Sequence, residues 1–140
     1  MTPLHTIAVG YDGSPDAEVA VRWAMETAVA TQSNVAVVHA AGLLEHLNTN
    51  FARNETPLAV LSLAGECGLD VERLFWYVND GDACSVLLRA GEPPVGADLI
   101  VVGSRGQGQH PGLLLGSTSL EMVQHSNVPV VVVPMPDPPG

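Results

Sequence analysis

Asp98-Leu-Ile-Val-Val-Gly-Ser-Arg-Gly-Gln-Gly-Gln-His-Pro-Gly-Leu-Leu-Leu-Gly-Ser-Thr-Ser119 reads as three successive pieces. Asp98 to Gly103 is a near-continuous apolar run, the mark of a strand covered on both faces and hence of a parallel sheet. Gly103 to Gly116 is a glycine-rich loop, and Ser117, Thr118 and Ser119 open a helix. Ligands of open α/β sheets collect at the carboxyl ends of strands, where the strand order reverses. Without a Cβ, Gly103 and Gly106 let backbone N–H groups come close to a bulky anion. Gly116-Ser-Thr-Ser119 adds a helix N-terminus with free N–H groups and three hydroxyls, which suits an anion. Thr118 and Glu121 fit a capping box at that helix start.

The rest of the chain extends the pattern. Four more β-rich runs occur: Thr6–Tyr11, Asn34–Ala40, Arg73–Val78 and Val128–Val133. Between them lie helical segments. The first is opened by Ser14 as cap, Pro15 at the first position, and Asp16 and Glu18 near the positive dipole end. Its apolar stripe is Ala17, Ala20, Val21, Ala24 and Ala28. A second helix is expected from Thr56-Pro57 to about Gly68. A third runs from about Asp82 to Ala90, where Gly91-Glu-Pro-Pro94 must end it. Alternating β and α with short links gives the fold class: α/β, one doubly wound, five-stranded parallel sheet with helices on both faces. The 140 residues are expected to form a single domain with a core from about 5 to 134. Ala41 to Glu55 reads as a loop over one sheet edge, and residues 135–140 as a disordered tail.

Composition limits the partners. The net charge is −10, with five basic residues, all arginine, against fifteen acidic ones. Nucleic acid and anionic membranes both demand a basic surface, so neither is expected to bind. With no lysine, a Walker-type phosphate loop is excluded. So is a GxGxxG fingerprint in its proper place, because the turn after the first strand reads Gly10-Tyr-Asp-Gly-Ser14. An anionic ligand would rest on backbone N–H groups, hydroxyls, Arg105 and a divalent cation such as Mg²⁺. There is no signal peptide pattern and no apolar run of roughly 18 residues, so the cytoplasm is the expected location. Cys67 and Cys84 have neither metal nor CxxC spacing and read as reduced, inert thiols. His39 reads as a satisfied core histidine, His110 as a loop residue within reach of a phosphate or a bystander. Trp23, Phe75 and Trp76 read as packing residues.

Gly103-x2-Gly106-x9-Gly116-Ser117 resembles, with complete spacing, the G-x2-G-x9-G-[S/T] nucleotide motif of the universal stress protein family. Val9-Gly-Tyr-Asp-Gly-Ser-Pro15 resembles that family's opening, Val37-Val-His-Ala40 its second strand, and Val128–Pro134 its last. The resemblance covers about Thr6 to Pro134 and points to the ATP-binding, UspA-like subgroup. It implies strand order 3-2-1-4-5, so that Asp12 and Gly103 face one crevice. By similarity Asp12 meets ribose or adenine, with Gly10, Tyr11 and Gly13 nearby, and Val38 and Ala40 line the adenine slot. Gly103, Ser104, Arg105 and Gly106 meet ribose and phosphate. Gly116, Ser117, Thr118 and Ser119 hold the outer phosphates. Many relatives carry basic residues after Gly106, where this chain has Gln107-Gly-Gln-His-Pro111. That predicts weak affinity for a triphosphate, or dependence on Mg²⁺.

Bland alternatives stand beside these readings: the glycine loop as a packing turn, and Asp12 as a turn residue before the first helix. The last strand has Pro129 and Pro134 at its ends, which marks an edge. A bare apolar edge invites pairing, and the family usually dimerises through this strand, so Val130, Val131, Val132 and Val133 are expected to pair two-fold. The function implied is an ATP-binding, stress-response regulatory protein, dimeric and not an enzyme. A slow ATPase and a nucleotide-free dimeric binding module are the alternatives.

Overall fold

The computed structural model describes residues 4–42, 55–104 and 116–135. Five parallel strands lie in the order β3-β2-β1-β4-β5, as expected: β1 Thr6–Gly10, β2 Asn34–Ala41, β3 Leu74–Asp80, β4 Leu99–Gly103 and β5 Val130–Val133. Helices α1 (Pro15–Thr31), α2 (Leu58–Cys67), α3 (Ala83–Arg89) and α4 (Ser117–His125) connect them. Side chains alternate across a strand, so each strand feeds two cores. Ile7, Val9, Val35, Val37 and Val101 point to the face covered by α1 and α2. Ala8, Ala36, Val38, Ile100 and Val102 point to the face of α3 and α4. Burial on both faces is why these strands carry no polar alternation. Among the described residues, no helix is long and apolar enough to cross a membrane.

Helix α1 starts as its sequence requires. Ser14 has extended backbone, its Oγ accepts from the Ala17 N–H at 3.2 Å, and Pro15 follows. All five stripe residues are buried, together with Met25. Ser14→Ala should cost about 1 kcal/mol through loss of this cap. A urea titration checks it; an unmoved midpoint would contradict the capping role.

Some element ends differ from expectation. Arg73 belongs to a short 3-10 turn, Val71–Arg73, capped by Asp70, and its Nη1 donates to the Gln32 carbonyl at 2.7 Å. The third strand therefore starts at Leu74. The last strand begins at Val130, because Pro129 has no N–H and the Val128 N–H goes to Ser126 Oγ at 3.2 Å. Ala41 is the end of β2, not the start of a loop. The expected loop over 43–54 and most of the expected tail, 136–140, lie outside the described residues. The Thr118–Glu121 capping box does not form: the N-cap is Gly116, which has no side chain, and Thr118 already sits inside α4. Of the aromatics assigned to packing, Trp76 packs against the core, whereas Trp23 and Phe75 are 37% and 42% exposed.

Candidate functional site

The strand order reverses between β1 and β4, and the chain leaves these two strands in different directions. The gap at their carboxyl ends is a cleft of about 200 Å³. Gly10, Tyr11 and Asp12 contribute from the end of β1, Ser14 and Ala17 from α1, and Val38, His39 and Ala40 from β2. Val102 and Gly103 come from β4, Gly116, Thr118 and Ser119 from α4, and Ala83 and Leu87 from α3. Nine of the fourteen residues singled out in the sequence thus meet around one space: Gly10, Tyr11, Asp12, Val38, Ala40, Gly103, Gly116, Thr118 and Ser119. Gly13, Ser104 and Ser117 are not on its wall. Arg105 and Gly106 lie outside the described residues.

Each rim is built by specific bonds. Gly13 has φ 84°, a left-handed value that glycine accepts without strain, and it lets the chain turn from β1 into α1. Asp12 Oδ1 accepts from the Ser14 N–H at 2.9 Å, so Asp12 does shape this turn while its carboxylate stands on the cleft wall. Opposite, the Ser119 hydroxyl donates to the Gly103 carbonyl at 2.6 Å. The Gly116 N–H donates to the Ser104 carbonyl at 2.6 Å, and the Ser104 N–H to the Val133 carbonyl at 3.0 Å. These bonds fasten the start of α4 to the ends of β4 and β5. Ser104 is therefore a structural tie behind the cleft, and Ser119 spends its proton on the scaffold.

The glycines also pack. A Cβ on Gly103 would lie 2.9 Å from the Asp16 carbonyl oxygen, so this glycine permits the close approach of α1 to β4. A Cβ on Gly10 would lie 3.0 Å from Leu87 Cδ1.

The electrostatics rest on the main chain. The Leu120 N–H bonds the Gly116 carbonyl at 3.0 Å, so the N–H groups of Ser117, Thr118 and Ser119 precede the first intrahelical bond of α4. They and the helix dipole favour negative charge at this end of the cleft. Among the described residues, no lysine or arginine lines it. Arg22 pairs with Glu66, Arg73 with the Gln32 carbonyl, and Arg89 with the Asp80 and Ser85 carbonyls. Burial, then Glu18 and Asp12, push the Tyr11 hydroxyl above its ordinary range, so it stays protonated. Burial, then Glu121, push the Cys84 thiol up, and burial leads the upward shift at Cys67. Both thiols are free, and neither lines the cleft. Among the described residues, no group of three or more His, Cys, Asp or Glu could hold a metal ion.

The sequence reading did not place His39, Ser14, Ala17, Ala83, Leu87 or Val102 at the site. His39 was flanked by two predicted wall residues, Val38 and Ala40, which was the available signal. The contribution of α3 depends on where that helix crosses β1 and β2, and local sequence does not encode it.

Comparison with known proteins agrees with this arrangement. The universal stress protein family model matches residues 3–73 and 94–134. The universal stress protein Rv2623 of Mycobacterium tuberculosis is 32% identical over 154 residues, covering 91% of this chain and 46% of that protein. A universal stress protein of Mycolicibacterium smegmatis is 30% identical over 146 residues, with 92% and 48% covered. The chain thus spans about half the length of these curated relatives. Among solved structures, a universal stress protein in complex with cAMP is similar at 25% identity and TM-score 0.70, with 94% of this chain and 98% of that one covered. One from Archaeoglobus fulgidus in complex with dAMP, at 22% identity and TM-score 0.67 with 94% and 99% covered, shares the fold. With Gly103 and Gly116 at the cleft and the family model matched over residues 3–73 and 94–134, this chain belongs to the universal stress protein family.

Proposed function

We propose that the chain binds an adenine nucleotide, ATP foremost, in the cleft between β1 and β4, and acts as a dimeric regulatory protein of the stress response. One observation carries this reading: Asp12, the end of β4 and the open N-terminus of α4 converge on a single space. Two similar solved structures are of family members in complex with cAMP and dAMP, which supports an adenine ligand. In this reading Val38 and Ala40 flank the base, Asp12 meets ribose or base, and Gly103 lies along the ribose and phosphate. The first N–H groups of α4 and the Thr118 hydroxyl receive the phosphates; the phosphate contacts expected of Arg105 and Gly106 fall outside the described residues. Ser119 acts through its own N–H, since its hydroxyl proton is held by the Gly103 carbonyl.

A regulatory role is favoured over catalysis. Phosphoryl transfer needs positioning and strong charge stabilisation. The described wall offers one carboxylate, a protonated tyrosine and no lysine or arginine. Labelled ATP should turn over slowly, if at all; fast turnover would favour the enzyme reading. Mg²⁺ would be held by phosphate oxygens and water rather than by a protein cage, as this ion commonly is. With a net charge of −10 and, among the described residues, no lysine or arginine on the cleft wall, ATP should bind roughly tenfold more weakly without Mg²⁺. Titration calorimetry with and without the ion tests both the site and the charge argument. No binding in either condition would sink the function, and equal affinities would sink the charge argument.

The dimer follows from β5. It is a four-residue apolar edge strand, half-buried over most of its length. Antiparallel pairing of Val130 to Val133 with a second copy would cover it. The bonds from Gly116 to Ser104 and from Ser104 to Val133 run from the cleft rim to this edge. They give ligand contacts a short route to the dimer surface. Light scattering at micromolar concentration should report twice the mass of the chain; a clean monomer would contradict this assembly.

A further inference from the structure

We propose that His39 is a positioning residue, which holds the turn carrying Asp12 in the geometry the ligand needs. Only the effect on affinity rests on the nucleotide reading; the effect on the turn does not. His39 is 4% exposed and lies on the cleft wall. Its ring lies nearly parallel to that of Trp76, offset with centroids 6.2 Å apart and an interplanar angle of 9°, and Trp76 meets the Tyr11 ring edge-on at 6.4 Å. The imidazole Nδ1 lies 2.8 Å from the Tyr11 carbonyl oxygen. A carbonyl only accepts, so Nδ1 carries the proton in this bond.

The site of this bond gives it consequence. Tyr11 lies one residue past the end of β1, and its N–H still reaches the Val38 carbonyl at 2.9 Å. Its own carbonyl is taken by a side chain of the same neighbouring strand. Immediately beyond come Asp12, bonded to the Ser14 N–H, then Gly13 at φ 84°, then the α1 cap. The turn is therefore pinned at both ends, by β2 through His39 and by α1 through Ser14. An apolar residue at 39 would leave a carbonyl in a buried setting without this donor, at a cost in order at the turn.

Asparagine and glutamine separate positioning from mere filling. The asparagine amide nitrogen falls near the place of Nδ1, whereas the glutamine amide reaches toward Nε2. In His39→Asn, AMP affinity should stay within roughly threefold of the parent. In His39→Gln it should fall roughly tenfold or more, the size expected when one well-placed hydrogen bond is lost. Both should keep the parent circular dichroism. In ligand-free ¹⁵N spectra, the amide signals of Asp12, Gly13 and Ser14 should hold their positions in the asparagine variant and move in the glutamine one. Equal behaviour of the two variants, whether both like the parent or both impaired, overturns the proposal. The imidazole ¹⁵N spectrum of the unmodified protein gives a reading that needs neither variant folding nor ligand. A proton on Nδ1 supports the proposal, and one on Nε2 alone overturns it. If the parent binds neither AMP nor ATP, the nucleotide reading fails, and the imidazole spectrum still decides whether His39 holds the turn.

Discussion

Gly116→Glu should abolish nucleotide binding in a protein that remains folded. Gly116 is the N-cap of α4, with φ −72° and ψ 166°, an extended conformation open to any residue. Its N–H bond to the Ser104 carbonyl involves only main chain and can persist in the variant. A carboxylate here would lie over the first N–H groups of α4, where the helix dipole favours it. It would satisfy the donors that the phosphates need and repel the phosphates as well. Affinity for Mg·ATP should fall at least 100-fold, about 3 kcal/mol, by calorimetry. Gly116 is buried, so the added side chain should also lower the unfolding free energy by roughly 1–3 kcal/mol, which a urea titration reads and which leaves a domain of ordinary stability folded. Retained affinity would place the phosphates elsewhere.

Gly103→Ala should act on stability first. The added Cβ would lie 2.9 Å from the Asp16 oxygen, 3.1 Å from its carbonyl carbon and 3.2 Å from its Cβ. Two of these atoms are main chain of the first turn of α1, so nothing can swing aside. Either α1 or the end of β4 must shift, at a cost of roughly 1–3 kcal/mol by analogy with other overpacked sites. Because Gly103 also accepts the Ser119 hydroxyl, the same shift would disturb the seat of α4. Urea denaturation without ligand separates the two effects. Unchanged stability would mean that the contact relaxes freely and that the glycine serves the ligand alone.

This pair of glycines shows what the sequence could and could not reveal. Near-continuous valine, isoleucine and alanine marked the second, fourth and fifth strands, whereas β3 was found as the β-rich run Arg73–Val78 and lies half-exposed at the sheet edge. The order of the strands came from family resemblance, since local sequence does not encode which strand neighbours which. Gly103 was read as making room for an anion, yet its missing Cβ faces Asp16; the partner of a glycine lies across the fold and leaves no local trace. The expected capping box failed for a related reason. Ser-Thr-Ser119 offered several hydroxyls, but the helix began after Gly116, and Ser119 turned its hydroxyl to β4. His39 was read correctly as buried and satisfied. Its place on the wall depends on the turn after β1, which the left-handed Gly13 sets up. Arg73 and Val128 fell outside their expected strands because Asp70 and Ser126 captured the adjoining backbone. Trp23 and Phe75 show that a large aromatic can remain substantially exposed on a helix flank or a sheet edge.

Main-chain amides at the start of α4, beside the end of β4, are the proposed receivers of phosphate. A crystal of the protein soaked with Mg·ATP tests this most directly. Phosphate oxygens should lie within about 3 Å of N–H groups in the first turn of α4, with the ribose near Asp12. A nucleotide seated elsewhere, or an empty cleft at a saturating concentration, would contradict it.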